Sequence, residues 1–132
     1  MNKTVCLIDD DPLFRLIVER MMRKTDSDLN FVQCENGKAG IEKIKDLLVP
    51  DSDFIVLLDL NMPILDGWGF LDQMQSHLKN REDNISIYIL SSSKDKSDME
   101  KSKSYSMVRK FYHKPLSNND IIEILDLGKK NM

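Results

Sequence analysis

Five short apolar runs punctuate this chain, and a segment with helical periodicity comes after each one. That alternation limits the fold more than any other feature. Thr4 to Ile8, Leu29 to Cys34, Phe54 to Leu58, Ile85 to Leu90 and Val108 to Tyr112 read as strands. Continuously apolar strands belong to parallel sheets covered by helices on both faces. Right-handed crossovers then leave few topologies. Open sheets of this kind bind ligands outside the carboxyl ends of their strands. The residues just past each run are therefore the informative ones. Asp9, Asp10 and Asp11 succeed the first, Asp59 the third, Ser91 the fourth, and Lys114-Pro115 comes just after the fifth.

The intervening segments carry helix signals. Asp11 reads as an N-cap with Pro12 at the first helical position. Phe14, Ile17, Val18, Met21 and Met22 then share one face, and Arg15 and Glu19 form an i, i+4 pair on the polar side. Asn36-Gly37 is a turn before a helix marked by Ile41, Ile44 and Leu48, which Pro50 to Asp53 breaks. Asp66-Gly67 starts a third helix that buries Phe70, Leu71, Met74 and Leu78. Gly69 inside it costs about 1 kcal/mol relative to alanine, with no reason visible in the sequence. Ser97-Asp98-Met99-Glu100 has capping-box form. The helix after it is polar nearly all round, as expected of weak packing or an interface. Ser117 to Asp120 cap a last helix with Ile121, Ile124 and Leu125 inward, and Gly128 ends it.

Composition narrows the functional classes. At 132 residues the chain has the size of one domain, without repeat or linker. The expectation is a single domain over 1–132 with no effector domain appended. A net charge of −3 and a pI near 5.4 argue against nucleic acid as a partner. No run approaches transmembrane length, and the N-terminus lacks a signal-peptide core. Cys6 and Cys34 read as small buried hydrophobes in strands. With no leader, they point to a reducing compartment, the cytoplasm. His77 and His113 have no metal-ligand spacing, so zinc is not expected.

Crowded carboxylates repel one another, and a raised pKa or a bound cation must relieve that. Magnesium suits a few carboxylates plus water and a phosphate oxygen. Asp9, Asp10 and Asp59 come from strands that can lie side by side. Asp11 is better read as a helix cap. Lys114 precedes a proline, so extended backbone is expected there, and its ammonium can serve a phosphoryl oxygen as a point charge.

The ordered set resembles the receiver domain of two-component response regulators. Ile8-Asp9-Asp10-Asp11 resembles that family's acidic pocket. Leu58-Asp59-Leu60-Asn61-Met62-Pro63 with Asp66-Gly67 resembles its phosphoacceptor loop. Leu90-Ser91-Ser92 resembles its hydroxyl site, and Phe111-Tyr112-His113-Lys114-Pro115-Leu116 its lysine loop. The resemblance implies a flavodoxin-like α/β fold, a doubly wound five-stranded parallel sheet of order 2-1-3-4-5 with five helices. It implies Asp59 as phosphoacceptor and Mg²⁺ as cofactor, held by Asp9, Asp10, Asp59 and the backbone carbonyl of Asn61. Ser91 and Lys114 would contact the phosphoryl group, and Ser91 and Phe111 would form the switch. Ser93 would be a position that tunes phosphoryl lifetime. The implied partners are a sensor histidine kinase or histidine phosphotransfer protein and a downstream protein, with no membrane association. The implied state is a monomer or transient dimer that assists its own phosphorylation and is not a turnover enzyme. Serine stands where threonine is commoner, and phenylalanine where tyrosine is common. Two rivals remain: a magnesium phosphatase with an aspartyl nucleophile, for which Asp9 and Asp11 have the required spacing, and a degenerate receiver acting only as a binding module.

Overall fold

The computed structural model describes residues 3–47, 53–77, 85–92 and 94–130, with 127–130 described through their backbone. Strands and helices alternate strictly: β1 (Lys3–Ile8), α1 (Pro12–Thr25), β2 (Asn30–Cys34), α2 (Gly37–Leu47), β3 (Asp53–Asp59), α3 (Gly67–His77), β4 (Ile85–Ser91), α4 (Lys96–Ser102), β5 (Val108–His113) and α5 (Asn118–Lys130). One parallel sheet holds them in the order β2-β1-β3-β4-β5. The alternation alone predicts a parallel sheet covered on both faces; the doubly wound order is the one the family resemblance implies, and it is the order found.

Pleating sends successive side chains to opposite faces, so each apolar strand feeds two cores. Cys6, Ile8, Val56 and Leu58 pack with Ile41 and Ile44 of α2 and Phe70, Leu71 and Met74 of α3. Val5, Leu7, Ile55 and Leu57 pack on the other face with Val18 and Met22 of α1 and Ile121, Ile124 and Leu125 of α5. Register then sets the site. Ile8 lies beside Leu58, and Asp59 beside Leu90. Asp9 therefore leaves its strand next to Asp59, and Ser91 leaves the adjoining strand one residue further on.

Several local expectations are corrected. Arg15 does not pair with Glu19. It reaches Gln33 and the Asp9 carbonyl instead, and Glu19 pairs with Arg23 and Gln33. Tertiary partners outcompete the weak i, i+4 attraction. Ile17 is 47% exposed, so the buried face of α1 is narrower than its apolar spacing suggests. The cap of α4 is Asp95, which accepts from the Ser97 N–H, rather than Ser97 itself. Asp53 begins β3 instead of belonging to the break before it, and Gly128 lies within α5 rather than ending it. Lys114-Pro115 is a cis peptide bond. At Gly69 a Cβ would come within 2.5 Å of Leu65 Cδ1, the tip of a flexible side chain that can move aside, so packing supplies no reason for glycine there either. Leu48, Leu78, Ser93 and the stretch 50–52 lie outside the described residues.

Candidate functional site

Asp9, Asp10 and Asp59 converge where β1 and β3 end, each offering a carboxylate oxygen within 4.8 Å of the others. Asp9 is fully buried and Asp59 is 6% exposed, while Asp10 faces solvent. Lys114 is the counter-charge. Its Nζ lies 2.6 Å from Asp9 Oδ2 and 3.5 Å from Asp59 Oδ1, and 4.4 Å above the Phe14 ring. The Lys114 N–H donates to the Ser91 carbonyl at 2.9 Å, which ties the loop after β5 to the end of β4. Ser91 is wholly buried and Phe111 half-buried. The ring of Phe111 meets His113 edge-on at 5.4 Å.

The electrostatics come from this crowding. Burial pushes the Asp59 carboxyl up to about 6, and the neighbouring Asp9 charge adds to the effect. Lys114 and the Asn61 backbone N–H pull it down, without cancelling the rise. Lys114 pairs with Asp9 and Asp59 while Asp10 adds a third carboxylate, so the donor set and its excess negative charge fit a hard divalent cation with open positions. No cation is needed to hold the carboxylates together, since they project from adjacent strand ends.

The backbone under Asp59 is held from α3. The Gly67 N–H donates to the Leu60 carbonyl at 2.9 Å, and a Cβ on Gly67 would lie 2.7 Å from the Asp59 carbonyl oxygen. Only glycine lets the helix start this close to the strand end. Asp11 stands apart from the cluster: its Oδ1 accepts from the Leu13 and Phe14 N–H groups as the cap of α1. Asp9, Asp10, Asp59 and Lys114 are thus brought together, and Ser91 is tied to them through its carbonyl. Asn61 is exposed two residues beyond Asp59 and joins through its backbone. Two participants were missed. Phe14 forms a wall under Lys114, and Arg15 grips the Asp9 carbonyl. The only signal for either was a place in the first turn of a helix that starts directly after an acidic strand end.

A parallel sheet of order 2-1-3-4-5 with an acidic triad and a lysine at its carboxyl edge defines a doubly wound α/β domain with an anionic site at its strand ends. Residues 5–126 match the model of the response regulator receiver domain, and the chain belongs to that family. It is 36% identical over 72 residues to the nitrate/nitrite response regulator protein NarL of Escherichia coli, covering 54% of this chain and 32% of that protein. It is 32% identical over 90 residues to the protein-glutamate methylesterase/protein-glutamine glutaminase of Desulfotalea psychrophila, covering 68% and 22%. The chain thus matches at most about a third of the length of these curated relatives. A two-component response regulator from Cytophaga hutchinsonii superposes with a TM-score of 0.86 at 26% identity, covering 97% of each chain. A response regulator receiver protein from Dyadobacter fermentans gives 0.83 at 20% identity over 96% and 98%, a likeness of fold alone. Among the described residues no helix is long and apolar enough to cross a membrane.

Proposed function

We propose that this domain is a phosphoacceptor switch, modified on Asp59 by a histidine kinase or a histidine phosphotransfer protein. The observation that carries this reading is Asp59 itself. It is a nearly buried carboxylate at a strand mouth, with a raised pKa, beside two further acids and a lysine. An Asp59 carboxylate oxygen attacks the phosphorus of a phosphohistidine. The O–P bond forms as the P–N bond breaks, and the leaving imidazole takes up a proton. Lys114 Nζ sits where it can shift from Asp59 onto a phosphoryl oxygen without leaving Asp9. Ser91, at the end of the neighbouring strand, donates its hydroxyl hydrogen to another. The residues that would hold Mg²⁺ are Asp9, Asp10, Asp59 and the Asn61 carbonyl. When bound, it supplies charge neutralisation for the carboxylates and the transferring group.

Water later hydrolyses the acyl phosphate, so the domain assists its own modification and is not a turnover enzyme. Output runs through a protein partner, with Ser91 and Phe111 as the switch pair, in a monomer or transient dimer. Two free cysteines support a cytoplasmic setting. Against an aspartyl phosphatase stands Asp11, whose carboxylate is engaged as a helix cap and does not join the cluster. Incubation with Mg²⁺ and acetyl phosphate should add one phosphoryl group by intact mass, and Asp59→Asn should abolish it. Full labelling of the variant, or steady hydrolysis of p-nitrophenyl phosphate by the wild type, refutes this reading.

A further inference from the structure

Every polar atom of Asp9 has a partner. Its N–H donates to the Cys34 carbonyl at 3.0 Å. Its Oδ1 accepts from the Asp11 N–H at 2.9 Å and its Oδ2 from Lys114 at 2.6 Å. Its carbonyl accepts from Arg15 Nη1 at 2.6 Å. Asp10 differs, because its side chain is exposed and its direction is set by the backbone that carries it. The Asp9 carbonyl and the Asp10 N–H belong to one planar peptide unit. A donor that fixes that oxygen fixes the plane from which Asp10 departs, and so narrows the directions its side chain can take.

Arg15 is itself braced. Its Nε donates to Gln33 Oε1 at 3.1 Å on the edge strand β2. Gln33 Nε2 donates to Glu19 Oε1 at 2.8 Å, and Arg23 holds the other Glu19 oxygen at 2.9 Å. The guanidinium thus makes two bonds at once, in two directions, from a rigid plane. A lysine can make one of them but not both in the same geometry.

We infer that Arg15, braced by Gln33, is a positioning residue that aims the Asp10 carboxylate into the cation site. The inference rests on the reading of the acidic cluster as a magnesium site. Charge and positioning predict opposite signs. Arg15 is a positive charge beside a cation site, so its charge alone opposes Mg²⁺, and removing it would tighten binding. If Arg15 acts by holding the peptide plane, removing it weakens binding instead.

The test is calorimetric titration of Mg²⁺ into the wild type and into Arg15→Met, Arg15→Lys, Gln33→Leu and Arg109→Met. Arg109 lies exposed on β5 and controls for net charge. Loss of an outer-shell partner typically costs tenfold or more in metal affinity. The Kd of Arg15→Met should therefore rise about tenfold. Gln33→Leu should show a smaller rise in the same direction, and Arg15→Lys should fall between Arg15→Met and the wild type. Arg109→Met should match the wild type. The Asp10 carboxyl ¹³C resonance should move in the Arg15 variants before any metal is added. With acetyl phosphate, the Mg²⁺ concentration for half-maximal labelling should rise while the rate at saturating Mg²⁺ stays the same. Unchanged or tighter binding in a folded Arg15→Met overturns the inference. Should that variant not fold, wild-type affinity in both Arg15→Lys and Gln33→Leu overturns it. No Mg²⁺ binding by the wild type removes the magnesium reading itself, and the inference with it.

Discussion

Replacing Asp59 by asparagine should make the metal-free fold more stable at neutral pH. The carboxyl is pushed from an ordinary 3.8 to about 6 by burial and by the Asp9 charge. About two pH units at about 1.4 kcal/mol each put the upper bound on the penalty near 3 kcal/mol, which solvent screening at the site mouth lowers to about 2. The amide keeps the shape and carries no charge. At pH 7.5 the wild-type carboxyl is ionised in both folded and unfolded chains, so the full penalty falls on the folded state. As the pH drops through 6, the folded protein takes up a proton that the unfolded chain does not. Wild-type stability then rises relative to the variant, and below about 3.8 the difference disappears. Denaturant melts without divalent cations should show Asp59→Asn ahead by about 2 kcal/mol at pH 7.5, or about 10 °C in Tm. By pH 5 the gap should have shrunk by half. Other titrating groups are common to both proteins, so the difference isolates Asp59. Equal or lower stability of the variant at pH 7.5, or a gap that stays constant with pH, would refute the argument.

Lys114→Ala should lower metal-free stability at pH 7.5 by about 3 kcal/mol, because it strips the partner from the fully buried Asp9. Adding Asp59→Asn to it should recover part of the loss in the same melts. Asp11→Ala should cost about 1 kcal/mol as a lost N-cap while leaving Mg²⁺ affinity unchanged, whereas Asp10→Ala should weaken Mg²⁺ binding in calorimetry. Gly67→Ala should cost about 1 to 3 kcal/mol and slow labelling of Asp59, since the new Cβ meets backbone atoms at 2.7 and 2.8 Å. Gly69→Ala should be near neutral, because its nearest contact is the movable tip of Leu65 and alanine favours the helix by about 1 kcal/mol.

The sheet and the order of its site residues were legible because both depend on local pattern. A run such as Phe54 to Leu58 must be buried on two faces, and a parallel sheet with right-handed crossovers puts all such run ends on one edge. Asp9, Asp59, Ser91 and Lys114 are found together for that reason. Asp11 was legible as a cap because Pro12 comes directly after it. Arg15 was not. Rules for isolated helices pair it with Glu19, but the edge strand brings Gln33 across and the strand end brings up a free carbonyl. The N-terminus of α4 was misplaced for a similar reason: Asp95 and Ser97 are both competent caps, and the loop leaving β4 decides between them.

On the proposed function, the geometry that makes Asp59 costly is also what would let its modification act as a switch. A group that destabilises the folded state when charged is one whose modification can redistribute conformations, since a ligand shifts only equilibria to which it couples differentially. The coupling has a short route. Lys114 Nζ bridges Asp9 and Asp59, and the Lys114 N–H is bonded to the Ser91 carbonyl. Any change in charge on Asp59 therefore alters the pull on a residue tied to both β4 and β5. Phe111 lies on β5 beside Ile89, half-buried against that same core. Because Phe111 has no hydroxyl, moving it inward breaks no hydrogen bond. Its resonances should accordingly respond to an acyl-phosphate mimic at Asp59, and should cease to do so once Lys114 is replaced by alanine.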